Sequence, residues 1–175
     1  EIATTIVRIM TQTRAANLNM KISSKIYEGA PTRSRVCNQG GSRVTAWEHI
    51  LAATVHSARA RPFAWGEHDC ATWAFDLRAA LQDEPSPADL WRGRYRTALG
   101  GARLMRKLGW ESVEEGARAL LGEPLEDVRL AQRGDLVLGG MPEAFGVVVG
   151  AEVAFVGLTG LEVTPLTQSR LAWRT

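Results

Sequence analysis

The stretch PFAWGEHDCATWAFD, residues 62–76, is where a loop gives way to a helix. Pro62 ends the helical pattern before it, and Asp69 carries a side chain that often caps the first turn of a helix. From about Cys70 to Leu81 the apolar residues recur at helical spacing. We therefore expect a helix with a cysteine in its first turn, directly preceded by an acid and a histidine.

The segments on either side of this stretch indicate the fold class. A helix is expected over residues 46–60, where Thr45 and Glu48 form the pattern of a capping box. Shorter helices follow through Leu121, one of them opened by a second capping box at Ser112 and Glu115. Four short β-rich runs separated by glycine come next: DLVLGG, FGVVVG, EVAFVG and GLEVTPL. They are typical of an antiparallel meander. Helices followed by strands predict an α+β domain, against which we expect Trp173 to pack.

The composition of the chain changes at Val44. Residues 1–43 contain seven Lys and Arg against two acids, whereas residues 44–175 contain fourteen against seventeen. All three Asn and five of the six Ile lie in the first segment. We predict a basic, poorly ordered N-terminal arm and linker over 1–43 and one globular domain over 44–175. The arm is either an ill-ordered extension, including one from a start codon assigned too early, or a docking arm for a partner.

Several classes of function are not expected from this sequence. No apolar stretch is long enough to span a bilayer, and the N-terminal segment lacks the apolar run of a signal peptide. Basic residues in the arm are few and are interleaved with few aromatic ones, so we expect no nucleic-acid partner. The only cysteines, Cys37 and Cys70, lie in different segments, so a disulfide framework is not expected and a reducing compartment is the default.

Cys70 and His68 are the candidate catalytic residues. A helix N-terminus favours a thiolate, and its unbonded N–H groups can hold an oxyanion. In an extended segment, residues two apart point the same way, so His68 is placed to act as the base for Cys70. The alternatives are an inert, buried cysteine and a loop imidazole that bonds backbone. A zinc site made by His68, Asp69 and Cys70 would lack a fourth ligand, so we expect no metal and no cofactor.

Other residues near the motif have structural interpretations. Trp65 is predicted to be an aromatic anchor, and Gly66 a backbone position that needs the freedom of glycine. His49 and His56 are expected at the surface or the edge of the first helix. The run WRGRYR, residues 91–96, is interpreted as a solvated face with one or two salt bridges rather than as a site for a polyanion or a glycan.

The segments PFAWG and DC at a helix start, with RGDLVL and FGVVVG much later, resemble the papain-like cell-wall cysteine peptidases of the NlpC type. Those peptidases carry Pro-Tyr-x-Trp-Gly-Gly, then Asp-Cys-Ser-Gly opening a helix, then Gly-Asp-Leu-Val and a strand of the form His-Val-Gly-Ile. The sequence is more closely similar to a compact group of phage and prophage proteins, often encoded among tail genes. That group shares Trp-Gly-x-His-Asp-Cys and ends near Ala-Trp-Arg. The similarity covers about residues 44–175.

The resemblance implies a papain-like α+β fold of the NlpC type, with N-terminal helices followed by a small antiparallel sheet. It implies a cysteine hydrolase acting on peptidoglycan peptide amides, with Cys70 as nucleophile and the helix-start N–H groups as oxyanion hole. The base of those peptidases is a histidine on the later strand, and His68 is the residue of this sequence that could replace it. It also implies that Asp135 fixes the turn before a strand. The implied location is the bacterial cytoplasm during assembly and then the phage virion tail.

Several positions depart from the peptidase pattern. Phe63 replaces the tyrosine, residues 71–72 are Ala-Thr rather than Ser-Gly, and Ala144 stands where the general-base histidine is expected. No histidine follows residue 68. A domain without a base would lose on the order of 100- to 10,000-fold in rate. The alternative function is therefore a non-catalytic member of this group, serving as a structural tail component that assembles with neighbouring tail proteins or as a module that binds cell-wall peptides.

Overall fold

In residues 43–140 and 142–175, which the computed structural model describes, four α-helices precede five β-strands. The helices are α1 Trp47–Ala60, α2 Cys70–Gln82, α3 Ala98–Lys107 and α4 Val113–Leu121. The strands are β1 Leu136–Gly139, β2 Ala144–Val148, β3 Glu152–Gly157, β4 Gly160–Pro165 and β5 Ser169–Trp173. The α+β class is confirmed. The arm predicted over 1–43 lies, apart from Arg43, outside the described residues.

The start of α1 corrects one detail of the sequence interpretation. The capping box expected at Thr45 and Glu48 does not form: the helix is capped at Ala46, and no side chain bonds its first N–H groups. The backbone N–H of Val44 instead donates to the carbonyl of Leu81, over 2.9 Å, at the far end of α2. This tertiary hydrogen bond fixes the chain just before α1. A capping pattern among neighbouring residues cannot predict it, because Leu81 is distant in the sequence.

Two other helix starts are capped as predicted. Asp69, in an extended conformation, caps α2 and accepts a hydrogen bond from the backbone N–H of Thr72. Ser112 caps α4 and accepts from the backbone N–H of Glu115 over 3.1 Å. Both caps satisfy backbone donors that a helix start would otherwise leave unbonded.

The five strands form one antiparallel sheet in the order β4-β3-β2-β1-β5. The four predicted β-rich runs supply β1 to β4. The fifth strand, which the sequence pattern did not predict, pairs with β1 so that Trp173 lies opposite Leu136. The indole N–H of Trp173 donates to the carbonyl of Gly122 over 2.9 Å, and only 1% of this residue is exposed. The expectation that Trp173 packs onto the body is therefore confirmed, within a strand.

Both faces of the sheet are covered. Helix α2 packs against β2, where the rings of Phe75 and Phe145 meet edge to face with centroids 5.0 Å apart. The opposite face carries a buried apolar cluster, formed by Val137, Val148, Val153, Phe155 and Ala172. Among the described residues no helix combines the length and the apolar character that crossing a bilayer requires.

Candidate functional site

The carboxylate of Asp69 is the centre of the loop that precedes Cys70. It is 1% exposed. Its Oδ1 accepts from the backbone N–H of Thr72 over 2.9 Å, and its Oδ2 accepts from the backbone N–H of Gly66 over 2.8 Å and from the hydroxyl of Tyr95. A buried carboxylate needs such donors to offset its lost hydration. Asp69 therefore holds the loop and the helix start together.

Tyr95 is the residue of this site that the sequence interpretation missed. It lies within the Arg-rich run 91–96, for which the sequence predicts a solvated face. Burial, followed by the hydrogen bond to Asp69, raises the pKa of the Tyr95 hydroxyl well above its ordinary value, so it stays protonated and acts as a donor. A hydroxyl thus reaches the site from Tyr95, although Phe63 lacks one. Because Tyr95 and Asp69 are 26 residues apart, no local pattern could have joined them.

Gly66 and Trp65 shape the loop around this contact. Gly66 has φ +73°, and a Cβ there would lie 2.6 Å from the carbonyl oxygen of Tyr95. Its own carbonyl accepts from the N–H of Gly93 over 2.9 Å. The half-buried Trp65 ring meets Phe63 edge to face, with centroids 4.8 Å apart, and lies 6.3 Å from the ring of Tyr95. Glycine is needed here for both conformation and space.

Cys70 is the first residue of α2 and is half-buried. Burial raises the pKa of its thiol from 9.0 to about 11, and the charge of Asp69 acts in the same direction. A backbone hydrogen bond from Phe145 on β2 opposes this shift. The thiol therefore lies against the strand that begins at Ala144, where the resemblance would place a histidine. At neutral pH it is a thiol rather than a thiolate.

His68 is held by its backbone, which forms an antiparallel bridge with Ala64 through hydrogen bonds of 2.8 and 3.0 Å. The side chain is 3% exposed, and its Nε2 is buried with no hydrogen-bond partner among the described residues. Burial, and then the charge of Arg61, lower the pKa of the imidazole. Within the described part of the chain no hydrogen bond joins His68 to Cys70. The helix begins at Cys70, so the extended geometry that would align the two side chains does not continue to the cysteine.

Asp135 joins the turn before β1 to both ends of the domain. It is fully buried. It accepts from Arg43 and from Arg174, each over 2.8 Å, and from the backbone N–H groups of Gln132 and Thr175 over 2.8 and 3.1 Å. The bond to Gln132 fixes the turn, as the resemblance implied. The two arginines add a clamp between Arg43, just before α1, and Arg174, just after β5.

The remaining candidate residues either form ion pairs within the fold or lie at its surface. Arg92 forms two hydrogen bonds with the carboxylate of Asp76, of 3.0 and 2.6 Å, and a further one with Asp89. His49 and His56 are exposed on α1, as expected. In the ranges that the structure covers, no group of three or more His, Cys, Asp or Glu side chains is placed to hold a metal ion.

Comparison with known proteins assigns the domain to a family without assigning an activity. A family model described as "Domain of unknown function (DUF6950)" matches residues 42–175. No significant match was found among curated proteins or among solved structures. The match includes Arg43, the loop around Asp69 and the whole sheet, so the complete described domain lies within it. The chain therefore belongs to the DUF6950 family.

Proposed function

We propose that this domain is a non-catalytic relative of the NlpC-type, papain-like cysteine peptidases. It serves in a phage or prophage tail, where it binds cell-wall peptide or a neighbouring tail protein without cleaving it. The observation that carries the proposal is the setting of Cys70: its thiol lies against β2, with no imidazole bonded to it among the described residues. The tail location rests on the sequence resemblance alone.

The protonation of Cys70 supports a non-catalytic role. Thiolate chemistry requires a cysteine that is ionised near neutral pH. With a pKa of about 11, roughly one thiol in 10,000 is ionised at neutral pH, against about one in 100 at the ordinary value of 9.0. Burial and the adjacent carboxylate thus raise the pKa of the Cys70 thiol by more than its position at the helix start lowers it.

The lack of a bonded base supports the same conclusion. The strand next to the thiol begins with Ala144, whose methyl group accepts no proton. His68 is close in sequence, but its imidazole lies in the wall of a cavity between α1 and α2, and Cys70 does not line that cavity. A cysteine without a positioned base loses on the order of 100- to 10,000-fold in rate.

Alkylation of the two cysteines at a series of pH values tests this proposal, with peptide mass spectrometry used to separate Cys37 from Cys70. We expect the alkylation rate of Cys70 to rise only above about pH 10, well beyond that of an ordinary thiol. A midpoint at or below about 8.5 for Cys70 would contradict the proposal, since it would indicate an activated nucleophile.

A cysteine hydrolase is the second candidate, favoured by one observation: Cys70 occupies the first position of α2, where backbone N–H groups can hold an oxyanion. Peptidoglycan digestion by the unsubstituted protein and by Cys70→Ala separates the two functions. We expect neither protein to release stem-peptide fragments. Release that depends on Cys70 would replace the binding role with a hydrolytic one.

A further inference from the structure

The imidazole of His68 is sealed inside the loop that precedes α2. Only 3% of this residue is exposed, and its Nε2 is buried without a hydrogen-bond partner in the described part of the chain. The backbone of His68 is held in place, because its N–H and its carbonyl both bond Ala64, over 2.8 and 3.0 Å. A neutral imidazole tolerates such a site far better than a charged one, since burial of an unpaired charge costs much more free energy.

Two carboxylates in the surroundings of this imidazole are already engaged by other donors. Asp69 accepts from two backbone N–H groups and from the hydroxyl of Tyr95. Asp76 lies on the α2 wall of the cavity that His68 also lines, and it accepts two hydrogen bonds from Arg92. A protonated imidazole would therefore find both of these acidic groups occupied.

The other polar groups around the same cavity do not compensate a positive charge either. Arg61, directly after α1, adds a positive charge of its own. Glu67 precedes the histidine in the sequence, but its Oε1 extends to Gly93, 3.4 Å from where a Cβ of that glycine would stand. The residues of α1 in the cavity wall, Thr54 and Ser57, are uncharged. The setting therefore suits an uncharged ring.

The same surroundings couple the protonation of His68 to the position of the loop. Burial lowers the pKa of the imidazole, the charge of Arg61 lowers it further, and the charge of Asp69 opposes them with a smaller effect. Where the loop is detached from the domain, the imidazole has its ordinary pKa of about 6.5. The open loop therefore binds a proton more readily than the closed loop, so acid favours the open loop.

We propose that residues 61–68 form an acid-sensitive latch on the start of α2. Neutral His68 keeps the latch closed. When the imidazole takes up a proton, the latch detaches and the imidazolium reaches water, while the sheet stays folded. Closure is complete above about pH 6.5 and is lost as the pH falls below that value. The latch operates whether the domain binds its peptide or cleaves it, so it goes beyond the proposed function.

Amide hydrogen exchange of the full chain, followed by NMR at pH 7 and at pH 5, tests this latch. Four N–H groups report on it because each donates to an acceptor within residues 64–69: those of Ala64, Gly66, Glu67 and His68. Each exchange rate is divided into the intrinsic rate at the same pH to give a protection factor. We expect the four protection factors to fall by about tenfold from pH 7 to pH 5. At both pH values they should be lower than those of β2, the middle strand of the sheet.

Three variants assign the acid response to one imidazole. His68→Phe keeps a ring in the loop without a titratable group, so the protection factors should change by less than about twofold. Arg61→Gln removes a repulsive charge at an exposed position, which raises the pKa of the closed-state imidazole and should reduce the fall to about fivefold or less. His56→Gln is the matched control, because His56 is exposed on α1 and does not line this cavity. We expect it to leave the tenfold fall unchanged.

Three results would overturn the proposal. Protection factors that stay constant between pH 7 and pH 5 would mean that the closed loop accommodates the imidazolium. Reporters as strongly protected as the amides of β2 would mean that the loop opens only when the whole domain unfolds. A fall that persists unchanged in His68→Phe or in Arg61→Gln would assign the acid response to another group, such as Asp69. The alkylation of Cys70 is measured on the alkaline side of neutrality, so failure here is distinguishable from failure of the proposed function.

Discussion

The hydroxyl of Tyr95 donates a hydrogen bond to Oδ2 of Asp69, the carboxylate whose other oxygen caps the helix that carries Cys70. One side chain thus links the segment after α2 to the start of that helix. With this bond, both oxygens of the Asp69 carboxylate accept hydrogen bonds from backbone N–H groups or from the Tyr95 hydroxyl. The reactive-looking trio of His68, Asp69 and Cys70 is therefore a loop organised around its middle residue.

Removing this hydroxyl should destabilise the domain. We expect Tyr95→Phe to lower the free energy of unfolding by about 1–2 kcal/mol, because Asp69 is buried and would lose a donor. Urea denaturation followed by tryptophan fluorescence measures the change. Arg94→Ala is the control: Arg94 is exposed in the same segment and donates to a backbone carbonyl, so its loss should cost less than about 0.5 kcal/mol. Equal losses of stability in the two variants would contradict this prediction, because they would mean that the buried bond from Tyr95 to Asp69 contributes no more than the exposed contact of Arg94.

The close approach of Gly66 to Tyr95 leads to a second prediction. Gly66→Ala should cost about 2–4 kcal/mol, since the new Cβ would be strained at φ +73° and would lie 2.6 Å from a carbonyl oxygen. Gly93→Ala is matched in φ, at +68°, but its Cβ would meet its nearest atom at 3.4 Å, so only about 1–2 kcal/mol is expected. Thermal unfolding of both variants gives the difference. A larger loss in Gly93→Ala would contradict the predicted clash.

The clamp at Asp135 should be the most sensitive ion-pair site of the domain. Asp135→Asn leaves Arg43 and Arg174 without their shared carboxylate, and we expect a loss of about 3–5 kcal/mol. Asp127→Asn breaks an exposed pair with Arg129 and should leave stability unchanged within error. Denaturation midpoints compare the two. A small effect of Asp135→Asn would mean that the backbone donors, rather than the arginines, hold the turn.

The pKa of Cys70 predicts a loss of stability at alkaline pH. The folded thiol has a pKa of about 11 against an ordinary 9.0, so the unfolded chain releases this proton first as pH rises. The stabilising effect is complete below about pH 9 and is lost between about pH 9 and pH 11, by up to about 2 kcal/mol after allowance for the partial exposure of the residue. Denaturation of the unsubstituted protein and of Cys70→Ala across this range isolates the effect. Parallel curves for the two proteins would contradict it.

Local sequence signals were sufficient for most of the secondary structure. The helix start at Asp69 and the cap at Ser112 were predicted because a capping side chain lies within three residues of the N–H that it bonds. The strands β1 to β4 were predicted because glycine separates short apolar runs. Strand β5 was missed: its pairing with β1 joins positions as distant as Leu136 and Trp173, and no hairpin turn connects them.

The sequence by itself determined that Cys70 begins a helix, that helices precede a sheet, and that the composition changes near Val44. All three depend on residues that are neighbours along the chain. Only the tertiary structure decided what surrounds the thiol and the imidazole. It placed Tyr95 on Asp69, β2 against Cys70, and α1 beside His68, because the direction in which a side chain faces depends on how distant elements pack.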